Sequence, residues 1–214
     1  MYPFWAFGKI KINEKEPEYM LILASGSPRR KEILEGLGAD FRVVVADTDE
    51  SSDERNPVKL TQELARRKGR AVYEKLCVTD RAKADDSVII SADTVVCLGG
   101  EILGKPHDRA DAMRMVRSLS GRDHIVVSGV AITIGGISHS DACVTTVHVN
   151  EIPEEEIEKY VDSKDPMDKA GGYGIQGRFS LWIRGIDGCY FSVVGLPVNT
   201  LQRLYFECTG KRLV

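Results

Sequence analysis

Two short segments carry side chains whose types and spacing suit chemistry on a charged, planar ligand. The first is Ser25-Gly26-Ser27-Pro28-Arg29-Arg30, with Lys31 next. Ser27 reads as a helix N-cap and Pro28 as the first helical residue, which puts three cations in the first turn. Cations there oppose the helix dipole by about 0.3–1 kcal/mol each. A bound anion reverses that sign, because free backbone N–H groups and guanidinium groups then point at it; the alternative is that the side chains splay into water. The second segment is Asp168-Lys169-Ala170-Gly171-Gly172-Tyr173-Gly174-Ile175-Gln176-Gly177. Missing side chains let its backbone approach a ligand closely, Lys169 brings a cation, and Gln176 offers the donor and acceptor needed to read a base edge. A polyanion grip and a reader of planar polar edges together describe a nucleotide pocket.

Three further residues stand in places that ordinary packing does not favour. Leu60, Leu64, Lys68, Val72 and Leu76 fall at successive i+4 steps, so Lys68 sits on the apolar stripe of a helix. It either snorkels to the edge of that stripe or reaches into a cleft. Asp93 is the one charge in the apolar run Val88–Leu98, and a carboxylate in a strand covered on both faces needs a cation, a metal or a strong set of hydrogen bonds. Thr94 and Ser91 cluster hydroxyl groups beside it. Glu50 ends the string Asp47-Thr48-Asp49-Glu50 after a strand, where the edge of a parallel sheet collects ligands; most of the string reads as solvated surface. Lys105-Pro106 follows a Gly99-Gly100 turn and puts a cation on a stiff loop. The histidines (His107, His124, His139, His148) have neither metal-ligand spacing nor a nucleophile partner and read as structural. No G-x-S-x-G elbow, G-x-x-x-x-G-K-[ST] loop or G-x-G-x-x-G fingerprint occurs.

The elements that must position these residues alternate. A strand at Leu21–Ala24 leads into the helix after Ser27, with Ile33, Leu34 and Leu37 on its apolar face and Gly38 as its stop. A strand over Phe41–Val45, a helix over Leu60–Leu76 and the strand Val88–Leu98 follow. A helix begins after Asp108 and ends near Gly121. Two β segments, His124–Ile134 and Ile137–Val149, flank Gly135-Gly136, a hairpin signal. A helix opens at Pro153 with Glu154, Glu155 and Glu156 in its first turn. After the glycine loop the pattern predicts two short strands joined at Asp187-Gly188, then a terminal helix from Pro197. The fold class is α/β, with two lobes around one mixed sheet and a cleft between them.

The 214 residues suffice for a sizeable core, and 43% hydrophobic with 29% charged residues is ordinary globular composition. A net charge of -3 argues against a partner that is a nucleic acid polymer, and no run reaches membrane-span length. The five cysteines are widely spaced, which fits neither a disulfide framework nor a zinc site and points to a cytoplasmic setting. Residues 1–19, with Phe4, Trp5 and Phe7, read as a loosely ordered extension ahead of a domain over 20–214, or else as an aromatic patch that docks on a partner subunit.

The ordered set of motifs resembles the Maf family of nucleoside triphosphate pyrophosphatases, first known as septum-formation inhibitors. It comprises A-S-G-S-P-R-R at Ala24–Arg30, D-x-D-E ending at Glu50, L-A-R-x-K at Leu64–Lys68, A-D-T at Ala92–Thr94, K-P at Lys105–Pro106, D-K-A-G-x-Y-G-I-Q-G at Asp168–Gly177 and V-V-G-L-P at Val193–Pro197. The form of the glycine loop looks like the branch acting on dTTP and UTP; the branch that takes 7-methyl-GTP carries a different loop. The resemblance implies a two-lobed Maf/ITPase-like fold with a mixed twisted sheet and a central cleft. It also implies water attack at the α-phosphorus of a nucleoside triphosphate, with Asp93 as proton acceptor and Glu50 as the second acid, the two holding Mg²⁺ or Mn²⁺. Lys68, Lys105 and Lys169 then neutralise phosphate charge, Ser25, Ser27 and Arg30 join the phosphate end, and Arg29, Thr94 and Gln176 match positions linked to substrate choice. A homodimer is a further expectation from the family. Other readings are a non-catalytic nucleotide sensor acting on septum formation, and the same chemistry on a modified purine nucleotide. Departures are Gly69 in place of a frequent alanine, Arg178-Phe179-Ser180 after I-Q-G, and the stretch before Met20.

Overall fold

The structure, a computed structural model, describes residues 19–214; the aromatic N-terminal stretch, and the roles expected of it, lie outside the described residues. In chain order the strands are β1 (Met20–Leu23), β2 (Arg42–Val43), β3 (Ser87–Leu98), β4 (Glu101–Leu103), β5 (Asp123–Ile134), β6 (Ile137–Val149) and β7 (Ile183–Asp187). The helices are α1 (Pro28–Gly36), α2 (Pro57–Thr79), α3 (Arg81–Asp85), α4 (Arg109–Leu119), α5 (Glu154–Asp162), α6 (Tyr190–Val194) and α7 (Val198–Thr209). One mixed sheet runs β2-β1-β3-β5-β6-β7, with β4 paired to the end of β3. Pairing is parallel from β2 through β1 to β3 and antiparallel from β3 onward. The expected mixed α/β architecture is present.

The long central strand β3 organises everything else, because its two faces see different partners. Ile89, Ser91, Asp93, Val95 and Cys97 share the face covered by α2. There Ile89 packs with Val72 and Tyr73, Val95 and Cys97 pack with Leu60 and Leu64, and the Ser91 hydroxyl donates to the Ala65 carbonyl (2.7 Å). On the other face Val88, Ile90 and Ala92 join α1 and α7 through Leu34, Leu201 and Leu204, while Val96 and Leu98 join α4 and α5 through Val116, Leu119 and Tyr160. Thr94 stands between those two clusters. That break separates the two apolar clusters along β3, one in each lobe, and Ile183, Ile186 and Val193 pack against both.

The apolar row along α2 lies against the sheet as its i+4 spacing requires, and the helix extends beyond the expected ends. Asn56 caps it by accepting from the Val58 and Lys59 amides. Downstream, the expected second strand after Asp187-Gly188 is instead the short helix α6. Tyr190-Phe191-Ser192-Val193-Val194 has the β-branched and aromatic composition of a strand. Tertiary contact overrides it: the Ser192 hydroxyl donates to the Cys143 carbonyl (3.3 Å), and the Ser192 carbonyl accepts from Ser128 Oγ (2.7 Å).

Helix α2 lies close against the sheet at Gly129, the register partner of Asp93. A Cβ there would lie 2.5 Å from the backbone carbon and oxygen of Thr61, atoms that no rotamer change can move. Gly129→Ala is therefore expected to lift α2 and cost about 1–3 kcal/mol, read as a lowered urea midpoint. An unchanged midpoint would show that α2 has slack at this contact.

Candidate active site

A cleft of about 1380 Å³ opens where the lobes meet, its walls taking Val96 and Tyr173 from one lobe and Ile175 and Val194 from the other, with Leu64 and Val72 of α2. It brings together Ser25, Ser27, Arg29, Arg30, Glu50, Lys68, Asp93, Thr94, Lys105, Lys169 and Gln176; the third cation of the first turn of α1, Lys31, is outside the cleft and pairs with Glu35 on the exposed side of the helix (3.4 Å).

At its centre Lys68 does not snorkel away. Its ammonium donates to Asp93 Oδ1 (2.6 Å) and lies 3.0 Å from Glu50 Oε1. Asp93 is buried and Glu50 exposed, so the two carboxylates converge on one positive charge from the floor and the rim. The one charged residue of β3 meets the α2 residue that breaks the apolar stripe.

The start of α1 is built in an unexpected way. Ser27 occupies the N-cap position, yet its side chain makes no capping hydrogen bond, so the hydroxyl stays available on the cleft wall. Ser25 Oγ instead accepts from the Ser27 amide (3.2 Å) and from Arg30 Nη1 (3.2 Å). Arg30 also donates through Nε to the Gly195 carbonyl (2.8 Å) and through Nη2 to Thr94 Oγ1 (3.2 Å). Three protein acceptors thus hold three of its five N–H donors. Burial draws the Arg30 guanidinium below its ordinary value, Asp93 and Glu50 pull it back up, and Arg29 adds to the lowering. Thr94 is in turn bonded to Ser128 Oγ (2.7 Å). Arg29 reaches the opposite wall, where it donates to Asp168 (3.1 Å).

On that wall the glycine loop is pinned at several points. Gly171 adopts φ +67, donates to the Gly104 carbonyl (2.8 Å), and sits where a Cβ would meet the Val96 side chain at 2.9 Å. Lys169 donates to the Asp165 carbonyl (2.6 Å), to Asp165 Oδ1 (3.1 Å) and to Asp168 Oδ1 (2.6 Å). Burial alone would raise the Asp168 carboxyl; hydrogen bonds from Lys169 and Arg29 outweigh it and hold the group below its ordinary range. Lys105 and Gln176 are exposed at the cleft. Sequence reasoning assigned no role to Asp165 or Asp168, nor to Arg114, a cleft cation that α4 supplies and Asp111 holds (2.7 Å). The adjacency of Asp168 to Lys169 was a signal; the contact with Arg29 had none.

Beneath the loop, Tyr173 packs on Phe179, which in turn meets Tyr160 and Trp182, and the Tyr173 hydroxyl meets Nε2 of the buried His124 at 2.6 Å. Burial pushes the His124 pKa down from 6.5 to about 4, so the ring is neutral at pH 7.

Fold and site together define an α/β protein whose interlobe cleft mixes cations with two converging carboxylates. A family model described as Maf-like protein matches residues 20–207, and the chain belongs to that family. Among curated relatives, a protein of Thermococcus kodakarensis named dTTP/UTP pyrophosphatase is 43% identical over 185 residues, 86% of this chain and 95% of that protein. Proteins of the same name from Agathobacter rectalis and Alkaliphilus metalliredigens are each 45% identical, over 87% and 85% of this chain and 95% and 92% of their own lengths. The solved structure of the Staphylococcus aureus Ham1 protein aligns with a TM-score of 0.43 at 14% identity, covering 61% of this chain and 71% of that one.

The His124 geometry has a consequence for acid stability. Because the folded-state pKa lies below the unfolded one, the unfolded chain takes up this proton first. The stabilisation is therefore complete above about pH 6.5 and is lost as pH falls toward 4, in all on the order of 3 kcal/mol. His124→Gln keeps a polar partner for Tyr173 and removes the titration. Urea unfolding at pH 7 and pH 4.5 should show a smaller acid loss in the variant than in the parent; equal losses would remove His124 from the account.

Proposed function

We propose that this chain is a nucleoside triphosphate pyrophosphatase that hydrolyses dTTP and UTP to the monophosphate and pyrophosphate, with residues 20–214 as the catalytic domain. The observation that carries the proposal is the convergence of Asp93 and Glu50 on the Lys68 ammonium in a cleft that also holds Arg29, Lys105, Lys169 and Gln176. The relatives' shared name supports the same reaction and the same pyrimidine substrates.

In this reading Asp93 takes a proton from water as the water oxygen bonds to the α-phosphorus. The bond from that phosphorus to the bridging oxygen breaks, and pyrophosphate departs with the charge. Lys68, Lys105 and Lys169 offset the charge that develops on the departing group, from positions held before the substrate arrives. Ser25, Ser27 and the amides at the start of α1 face the phosphates, with Arg30 bracing that turn. Gln176 pairs with the carbonyl and N3–H of a uracil or thymine edge, Arg29 spans base and phosphate, and Thr94 joins them in setting substrate choice.

The donor set fits a hard divalent cation. Asp93 and Glu50 each bring one carboxylate oxygen to a single positive charge, and among the described residues no group of three or more His, Cys, Asp or Glu is arranged to hold a metal alone. That suits Mg²⁺ or Mn²⁺, which takes one or two carboxylates and completes its shell with phosphate oxygens and water. When bound, the ion supplies charge neutralisation at the phosphate oxygens. A second copy of the chain as partner and a cytoplasmic setting remain part of the proposal. Among the described residues no helix is long and apolar enough to cross a membrane.

The test is pyrophosphate release from a panel of nucleoside triphosphates with Mg²⁺ or Mn²⁺. dTTP and UTP should lead the panel, and Asp93→Asn should lower turnover on the order of 10²–10⁴-fold in folded protein. Binding without turnover across the panel would instead indicate a nucleotide sensor. Gln176→Ala should narrow the gap between pyrimidine and purine triphosphates in kcat/KM; an unchanged profile would mean that the base is read by other groups.

A further inference from the structure

Two neighbouring carboxylates hold the same lysine, and they are built differently. Asp165 Oδ1 and the Asp165 carbonyl both accept from Lys169 Nζ, and Asp165 Oδ2 accepts from the buried Tyr160 hydroxyl (3.0 Å). The same oxygen lies 3.2 Å from where a Cβ on Gly177 would stand, so this carboxylate is confined on several sides. Among the described residues the Asp168 carboxylate pairs only with cations: Oδ1 faces Lys169 Nζ at 2.6 Å and Oδ2 faces Arg29 at 3.1 Å. Its side chain is 62% exposed, against 13% for Lys169 and 28% for Arg29. The two cations are set into the walls and the anion between them is free to swing into solvent.

We infer that Asp168 is an internal counterion which a phosphate group of the substrate replaces, and that Asp165 is the positioning residue that keeps Lys169 in place when the exchange occurs. The inference rests on the reading of the cleft as a polyphosphate site. A carboxylate that spans Arg29 and Lys169 with its two oxygens presents to them what two phosphate oxygens present. Both cannot stay, because a carboxylate left beside a phosphate adds like-charge repulsion. An ion pair as exposed as Asp168's is worth little by itself, so its displacement is cheap. Lys169 loses one partner of three and keeps the two from Asp165. Before substrate arrives, the exchange partner holds the glycine loop to the start of α1, across 139 positions of sequence. It also lets product leave, since Asp168 competes for the same cations.

A purely structural Asp168 and an exchangeable one predict opposite signs. Asp168→Asn keeps the shape and removes the charge. Pyrophosphate and the α,β-methylene analogue of dTTP should then bind roughly 3- to 10-fold more tightly, as expected for removal of one screened like-charge contact. KM should fall in the same proportion, while kcat stays level or drops as product release slows. Asp165→Asn should move the other way, with weaker binding of both probes and a lower kcat/KM. A urea midpoint for each variant separates these effects from loss of fold. Unchanged or weakened binding in folded Asp168→Asn would overturn the inference while leaving wild-type hydrolysis of dTTP and UTP, and so the proposed function, standing. Tighter pyrophosphate binding by Asp168→Asn with no wild-type turnover would support the counterion and defeat the enzyme.

Discussion

The ammonium of Lys68, balanced between Asp93 and Glu50, is the contact on which the rest of the site depends. Neither Lys68 nor Asp93 is tolerable alone in its place, since a buried charge without its partner costs several kcal/mol. Their pairing requires α2 to lie close against the sheet. Gly129 and Gly69 make that approach possible: a Cβ on the first would strike the backbone of Thr61, and one on the second would lie 2.5 Å from Thr133 Oγ1. Gly69, which by helix propensity weakens α2, is thus placed where an alanine methyl would crowd two hydroxyls, Thr133 and Ser91.

The opposite side of the same strand has a complementary device. Thr94, one residue from Asp93 and facing the other way, falls at the gap between the two apolar clusters. Arg30, Thr94, Ser128 and the carbonyls of Ser192 and Gly195 fill that gap with hydrogen bonds. A polar seam satisfied in this way can stay rigid where an apolar one would close over the cleft. It ties the start of α1, the centre of β3 and the turn after α6 to one guanidinium. The floor therefore has fixed charges on one face of β3 and a fixed joint on the other.

The glycine loop is the wall with adjustable parts. Its base is anchored by Tyr173 on His124 and by Gly171 on Gly104 and Val96, while its rim carries the exposed Asp168 and Gln176. Anchored base and solvent-facing rim divide the loop: packing and hydrogen bonds fix the first, and solvent leaves the side chains of the second room to reorient. Charge in the cleft is matched almost cation for carboxylate before any ligand enters, which keeps several buried or half-buried charges compatible with a stable fold.

Periodicity and local turn chemistry were enough to read most of this fold. The i+4 row on α2, the uninterrupted β3, the Gly135-Gly136 hairpin and the Asp108 cap all depend on neighbours within a few positions, and such neighbours are written in the chain. Lys68 and Asp93 were legible for the same reason, as charges that break local apolar patterns. What pairs with them was not. The contacts Lys68–Asp93, Arg29–Asp168, Arg30–Gly195 and His124–Tyr173 join residues 25 to 165 positions apart, and no local pattern records which distant group will stand within hydrogen-bonding distance. The same limit explains α6, whose strand-like residues coil because hydrogen bonds from β5 and toward β6 hold Ser192. Residue type and spacing determined which side chains had unmet electrostatic needs; only the packing of α2 and the glycine loop onto β3 decided which of them meet those needs for one another, because that choice turns on ångström-scale approach between distant segments.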